Sequence, residues 1–131
     1  MMKSKIESFE DLFVYQKARE FSRKIAELVK ELPEEEKFKL KDQMTRARRS
    51  ITNNIAEGYG RFHYQENIQH CRQSRGSTCE IIDDLIECSE EKYIDENRYR
   101  SLKDEAYSLI KILNKYISYL QKAKKEFSKE K

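Results

Sequence analysis

Apolar residues along the chain recur at helical spacing in four separate segments. Within each segment they return every three or four positions, which places them on one face of an α-helix. The first two stripes are Val14, Ala18, Phe21, Ile25, Leu28 and Leu32, then Leu40, Met44, Ala47, Ile51 and Ile55. The last two are Ile68, Cys71, Thr78, Ile82, Leu85 and Ile86, then Tyr99, Leu102, Ala106, Leu109, Leu113, Ile117 and Leu120. The pattern therefore predicts four helices.

Polar and helix-breaking residues indicate where the first two helices begin and end. Ser8 and Asp11 nearly form a capping box, which predicts the start of the first helix. Pro33 ends that helix because the residue before a proline is pushed out of helical geometry. The three glutamates that follow favour a positively polarised helix N-terminus, so we predict that the second helix begins between Pro33 and Lys37.

Glycines and an aspartate mark the remaining boundaries. Gly58 and Gly60 are expected to supply a C-terminal cap and a turn after the second helix. The third helix is predicted over residues 64–89, with Gly76 near its middle. Because a mid-helix glycine costs about 1 kcal/mol relative to alanine, we expect a neighbouring helix to approach closely there. Asp95 is the expected cap of the fourth helix.

Four helices with short connections predict an all-α fold, an antiparallel up-down four-helix bundle. The bundle domain is expected over residues 8–122, with a polar basic tail at 123–131 that frays from Lys122 onward. Further apolar residues flank the first and fourth stripes. They leave two interpretations open, a subunit interface or a wider monomer core. These residues are Phe9, Leu12, Phe13, Ile110, Tyr116 and Tyr119.

Composition adds a segregated charge pattern to this picture. The 27 basic and 24 acidic side chains leave a net charge of only +3, unlike the strongly basic footprint of a dedicated nucleic-acid binder. Residues 37–49 are nevertheless basic and residues 80–96 acidic. The sequence shows neither a bilayer-length apolar stretch nor an apolar leader, so we expect a cytoplasmic protein without membrane contact and with reduced cysteines.

Recognisable catalytic constellations are not found in the sequence. A bundle di-iron centre needs a Glu-x-x-His pair on each of two helices, whereas the two histidines are His63 and His70, and Glu66 stands four positions before His70. Cys71 directly follows His70, but adjacent helix residues point about 100° apart. Phosphate loops and nucleophile elbows are not recognised either. We therefore expect a non-enzymatic protein without cofactor or metal, and keep a bundle metalloenzyme as a third hypothesis.

The second helix carries cations on both sides of its apolar face. One predicted exposed stripe contains Arg46, Arg49 and Asn53, and another contains Lys41, Arg48 and Thr52. An arginine among aromatic residues follows at 61–64. Phosphates attract such cations and unpaired bases stack on such rings. The predicted nucleic-acid contacts are Lys39, Lys41, Arg46, Arg48, Arg49, Tyr59, Arg61, Phe62 and Tyr64. A solvated face with aromatics that close the bundle end remains the alternative.

Three segments resemble the four-helix-bundle protein family encoded within intervening sequences of bacterial 23S rRNA genes. They are SITNNIAEG at residues 50–58, FEDLFVYQKA at 9–18, which is similar to the first helix of the family, and RGSTCE at 75–80, which is similar to its third-helix signature. The family commonly has an apolar residue where this chain has Thr78. The resemblance extends over roughly residues 8–122.

The resemblance implies an antiparallel bundle assembled into a ring, typically a homopentamer, without established enzymatic activity. It also implies kinship to the accessory proteins of diversity-generating retroelements, which bind nucleic acid and reverse transcriptase through a basic pentameric barrel. The matching motif residues would serve structure, with Glu57 bonding nearby backbone or arginine and Gly58 capping the helix. These residues are Asn54, Glu57, Gly58 and Gly76.

Two main functional hypotheses result. The first is a non-enzymatic oligomeric module that binds structured nucleic acid, either DNA or RNA including rRNA, through the basic face. The second is a protein-interaction scaffold without direct nucleic-acid binding, in which the segregated charges pair between subunits or with a partner such as a reverse transcriptase.

Overall fold

The computed structural model describes residues 5–130, and this part of the chain is helical with no β-strand. Its helices are α1 (Phe13–Glu31), α2 (Leu40–Gly60), α3 (Tyr64–Glu90) and α4 (Glu96–Glu130). Each helix packs against its chain neighbours, and α1 also packs against α4, which closes the bundle. The predicted all-α four-helix bundle is confirmed. Within the described residues, the helices are too polar for any of them to cross a lipid bilayer.

The core is built from the four apolar stripes, with one change on α3. Ile86, which the spacing placed in the core, is 37% exposed, whereas Ile81 is fully buried. Ser74 and Thr78 occupy the buried positions of the preceding turns, and their hydroxyls donate to backbone carbonyls, Ser74 to that of Ile51. The predicted stripe included Thr78 but not Ser74, and with this gap the spacing placed Ile86 rather than Ile81 in the core.

The predicted start of the first helix is wrong: Ser8 caps a separate short 3₁₀ turn at Phe9–Asp11, and α1 begins at Phe13 without a side-chain cap. Ser8 Oγ accepts from the backbone N–H of Glu10 at 3.1 Å, and Asp11 Oδ2 accepts from that of Ser8 at 3.2 Å. The two bonds form the capping box. They hold the chain that leads into α1.

The predicted start of the second helix is wrong. Residues Glu34–Glu36 form a separate 3₁₀ turn, and α2 begins at Leu40. Leu32 and Leu40 are both buried. The α-helix therefore begins where its first side chain enters the core, since tertiary packing supplies most helix stability.

The close helix contact that the sequence predicts at Gly76 is found at Gly58 instead. Gly58 is not a cap: it is buried within α2, and a Cβ atom there would lie 2.7 Å from Asn67 Oδ1 and 2.9 Å from His70 Cβ on α3. Gly76 is exposed, and a Cβ atom there would meet nothing within 4 Å. The close helix approach thus occurs at Gly58, and the turn after α2 places Phe62 rather than glycine at positive φ.

The fourth helix begins as predicted and continues further than expected. Asp95 Oδ1 accepts from the backbone N–H of Arg98 at 2.8 Å and caps α4. Beyond Lys122, where fraying was expected, the helix continues to Glu130. The Lys124 ammonium donates to Gln65 Oε1 at 2.6 Å, which ties this last part of α4 to α3.

The two glycines provide a matched test of the helix contact. Gly58→Ala should lower the free energy of unfolding by about 1–3 kcal/mol, because the new methyl group overpacks the α2–α3 contact. Gly76→Ala should raise it by about 0.5–1 kcal/mol, because alanine is the better helix former in open space. Urea unfolding followed by circular dichroism measures both. Equal changes in the two variants would contradict the close approach at Gly58.

Candidate nucleic-acid interface

A groove between α1 and α2 collects arginines from both helices. Arg19 of α1 and Arg46 and Arg49 of α2 line it, with Phe9 and Tyr15 among its other walls. The cavity volume is about 680 Å³. We call this surface the arginine groove. Its α2 part also presents polar side chains, namely Ser50, Thr52 and Asn53.

Arg48 lies half-buried between the same two helices. Its Nη1 donates to Ser22 Oγ of α1 at 3.4 Å, and its buried Nε has no hydrogen-bond partner among residues 5–130. Burial, together with the positive charges of Arg49 and Arg19, lowers the pKa of Arg48. Thr52, expected on an exposed stripe with Arg48, is instead buried. This side of α2 therefore faces α1 rather than open solvent.

The cluster of positive charge has no acidic counterpart. In the described part of the chain, Arg19, Arg48 and Arg49 form no ion pair with a carboxylate. Arg19 and Arg49 line the same groove, and Arg48 bonds to Ser22 of α1 beside them. Guanidinium groups held together without neutralising acids create a positive potential that favours a bound anion.

The remaining predicted cations at the start and middle of α2 differ in their exposure to solvent and in their pairing with carboxylates. Arg46 pairs with Asp42 at 2.8 Å, but both side chains are exposed, so the pair contributes little energy and exchanges easily. Lys41 is half-buried and lies 3.8 Å from Glu34. Lys39 is exposed at the start of α2. The structure brings Arg46, Arg48 and Arg49 together, with the two lysines toward the α2 N-terminus.

Arg61 is neutralised by its own neighbours. Its Nη2 lies 2.7 Å from Glu57 Oε2, and its Nη1 lies 3.8 Å from Glu66 Oε1. The hydrogen bond from Arg61 lowers the pKa of Glu57, and that to Glu57 raises the pKa of Arg61. Arg61 therefore belongs to a local ion-pair cluster, and the expected bond from Glu57 to an arginine is present.

The predicted base-stacking residues lie away from the arginines. Tyr59, Phe62 and Tyr64 line a different groove, which they share with aromatic residues of α4. The two grooves have no lining residue in common. The structure therefore divides the predicted nucleic-acid contacts between two surfaces.

The motif at residues 50–58 forms a polar network between α2 and α3. Asn54 Nδ2 donates to the Ser50 carbonyl at 2.9 Å, so Asn54 Oδ1 accepts from His70 Nδ1, also at 2.9 Å. Ser77 Oγ donates to Ser50 Oγ at 2.8 Å, and His70 Nε2 lies 3.7 Å from Glu57. These contacts surround the close approach at Gly58. The role of the motif is therefore to join two helices.

The histidines and cysteines occupy separate structural positions. His63 Nδ1 accepts from the backbone N–H of Glu66 at 3.4 Å and caps α3, while His70 bonds to α2. No group of three His, Cys, Asp or Glu side chains within residues 5–130 is placed to hold a metal ion. All three cysteines are free thiols, and burial raises the pKa of Cys71 and Cys88 to about 12, which keeps both protonated at neutral pH.

An acidic surface on α3 contains one unusual carboxyl group. Asp84 is only 8% exposed, whereas Glu80, Asp83 and Glu87 around it are exposed. Burial is the main cause, and these three carboxylates the secondary one, of a pKa of Asp84 raised to about 6. The region has the opposite sign to the arginine groove.

The α1 half of the arginine groove was missed in the sequence. Tyr15, Arg19 and Ser22 follow one another at spacings of four and three residues, directly beside the core stripe of α1. That spacing places them on one edge of the helix. This spacing could be recognised in the sequence. Only the packing of α1 against α2, however, shows that this edge meets Arg48 and Arg49.

Comparisons with known proteins agree with the fold. A crystal structure of a protein with unknown function from the S23 ribosomal protein family, from Bacteroides thetaiotaomicron VPI-5482, is similar with a TM-score of 0.74 and 26% identity, covering 79% of this chain and 97% of that chain. No curated protein matches the sequence significantly. The sequence model of the 23S rRNA-intervening sequence protein family matches residues 10–115. The chain therefore belongs to the 23S rRNA-intervening sequence protein family.

Proposed function

We propose that this chain is a non-enzymatic, oligomeric module that binds structured nucleic acid, RNA in particular, through the arginine groove. One observation carries the proposal: Arg19 and Arg49 line one groove, Arg48 reaches α1 beside it through its bond to Ser22, and none of the three has a carboxylate partner in the described residues. Nearby like charges disfavour one another, and phosphate oxygens would relieve that repulsion. Arginine also matches phosphate geometry through two parallel hydrogen bonds.

The form of the groove suits a regular phosphate backbone. Its arginines project from two helices that the core holds in fixed positions, with Ser22 bonded to the backbone of α2 through the Arg48 carbonyl at 3.3 Å. Contacts from cations to phosphates position a protein on the nucleic acid but do not read its base sequence. We therefore expect binding to structured nucleic acid with little sequence preference.

Oligomer formation would compensate for the small net charge of +3. Each added subunit contributes another arginine groove, and several weak contacts to one nucleic acid give higher avidity. Exposed apolar side chains on different helices and connections offer surface for subunit contacts. They include Phe13, Phe38 and Ile86.

The subunit number can be measured directly. Light scattering coupled to size exclusion should give a mass that is a multiple of the 15.8 kDa chain. A five-fold multiple would agree with the family resemblance. A monomer at every protein concentration would contradict the oligomeric part of the proposal and remove the avidity argument.

Charge removal in the groove tests the nucleic-acid proposal. The double variant Arg19→Gln, Arg49→Gln should bind duplex RNA more weakly, and the slope of log affinity against log salt should fall by about 1–2, because each phosphate contact on a duplex contributes about 0.9. Arg100→Gln is the matched control, since Arg100 is an exposed arginine of α4 paired with Glu96. Fluorescence anisotropy over a salt series measures both quantities.

A stronger variant changes Arg46, Arg48 and Arg49 together to Glu. Wild-type retention of RNA at low salt by this variant, with its helical content intact, would overturn the proposal. So would equal losses in the double variant and in the Arg100→Gln control.

The acidic surface of α3 favours a second candidate function, a protein-interaction scaffold. Exposed Glu80, Asp83 and Glu87 with the nearly buried Asp84 would attract a basic surface on a partner or on another subunit. A reverse transcriptase is one such partner class. Under this alternative the protein gives no mobility shift with random RNA at low salt, which separates it from the leading proposal.

The buried carboxyl group of Asp84 lowers the stability of the folded protein at neutral pH, and this effect can be measured. Its folded pKa of about 6 exceeds the ordinary 3.8, so the folded state disfavours the ionised form and stability falls as pH rises from about 4 through 6. Asp84→Asn should therefore gain stability relative to wild type between pH 4 and pH 8, on the order of 2 kcal/mol. Asp104→Asn is the control, since Asp104 is an exposed aspartate of α4 that is not among the carboxylates acting on Asp84. A pH-independent difference between Asp84→Asn and wild type would contradict this assignment.

A further inference from the structure

Six aromatic side chains line one groove at the end of the bundle where α2 turns into α3. The groove has a volume of about 670 Å³ and contains four of the eight tyrosines and two of the six phenylalanines of the chain. We call it the aromatic groove. Its rings are Tyr59, Phe62, Tyr64, Tyr116, Tyr119 and Phe127. Ile6 and Leu12 also line it, next to Phe9 of the arginine groove.

The rings are ordered as well as exposed. Tyr116 is held by Asn67, whose Nδ2 donates to its hydroxyl at 3.3 Å. Tyr119 stacks on Tyr116 with the planes 14° apart and the centroids 6.2 Å apart, while remaining 63% exposed. Burial raises the pKa of Tyr116 to about 12, so its hydroxyl stays protonated. A fixed ring therefore supports an exposed one.

The turn between α2 and α3 presents another ring to solvent. Phe62 is 85% exposed and has φ of 52°, a left-handed conformation that a bulky residue rarely adopts. Its ring lies 5.9 Å from that of Tyr59. The turn that ends α2 accounts for this backbone conformation, since Lys92 adopts the same one at the end of α3. The exposed ring itself makes no core contact, so its face is open to a ligand.

Positive charge borders the aromatic groove on the α3–α4 side. An adjoining groove is lined by Arg72, Lys124, Lys125 and Lys129, and the two grooves share Gln65, Lys124 and Ser128. No described aspartate or glutamate lines either groove. Lys124 donates to Gln65 and is thereby held at the boundary between rings and cations.

We infer that the aromatic groove and its neighbouring cations bind single-stranded nucleic acid. Unpaired bases would stack on Tyr119 and Phe62, and the phosphates between them would lie against the α4 lysines and Arg72. Stacking needs open base faces, which a duplex does not offer, and the combination of rings with cations is typical of single-strand sites. An apolar protein partner would cover the rings but leave these cations without counter-charge.

This inference goes beyond the proposed function. It concerns another surface, an unpaired rather than a structured ligand, and α4 residues that the sequence did not point to. It does not depend on the arginine groove, because the two surfaces share no lining residue. Ribose and deoxyribose strands offer the same stacking and phosphate chemistry, so both are used in the test.

The experiment compares short oligouridylate and oligothymidylate with a duplex RNA hairpin by fluorescence anisotropy on the full chain. A non-nucleotide linker closes the hairpin, so that it has no unpaired bases. Tyr119→Ala and Phe62→Gly should each weaken oligonucleotide binding about tenfold while leaving hairpin binding unchanged. Glycine also relieves the positive φ at position 62, so that variant should keep its fold. Tyr107→Ala is the matched control, an exposed tyrosine of α4 outside the groove, and should have no effect.

The outcomes separate the two proposals. Loss of hairpin binding in Arg19→Gln, Arg49→Gln with oligonucleotide binding retained would support both sites. Oligonucleotide binding with no hairpin binding by the wild type would overturn the proposed function and support the aromatic groove. Wild-type oligonucleotide affinity in both groove variants would overturn the inference. So would a wild type that binds no oligonucleotide, and a change of subunit number in Tyr119→Ala would then assign the groove to a second copy of the chain.

Discussion

The close contact between α2 and α3 at Gly58 is the constraint on which both candidate surfaces depend. A side chain at this position would collide with Asn67 and His70, so the two helices meet there only because glycine leaves the space. The Asn54–His70 hydrogen bond closes the same contact on a neighbouring turn. By fixing α3 against α2, this contact sets the direction of the turn that carries Phe62, and it holds α2, which also lines the arginine groove.

Much of the fold could be predicted from the sequence, because residues buried on one face of a helix are apolar and recur every three or four positions. The stripes of α1, α2 and α4 are buried as their spacing predicts, except that Tyr99 is only partly buried. The prediction failed at a buried polar residue and at a contact between helices. Ser74 leaves a gap in the α3 pattern, and the different roles of Gly58 and Gly76 depend on distances between helices, which one-dimensional spacing does not contain.

The candidate sites were less predictable, because each is assembled from separate helices. Spacing along α2 grouped Arg46 with Arg49, but it could not show that Arg19 of α1 completes the cluster or that Glu57 and Glu66 neutralise Arg61. Aromatic residues near the α2–α3 turn were noticed, but not that they share a groove with α4 rings, among them Phe127, which contacts Tyr64 edge-on. Contacts between helices determine which charged groups are neutralised and which aromatic rings stay exposed to a ligand.

The segment held by the Ser8–Asp11 capping box has a practical consequence for labelling the protein. Its residues contribute to both grooves, Phe9 to one and Ile6 and Leu12 to the other, and the α4 C-terminal turns border the second groove. A purification tag or fluorophore at either end would therefore crowd a surface under study. The connection between α3 and α4, at the opposite end of the bundle, offers exposed Lys92 as an attachment point remote from both grooves.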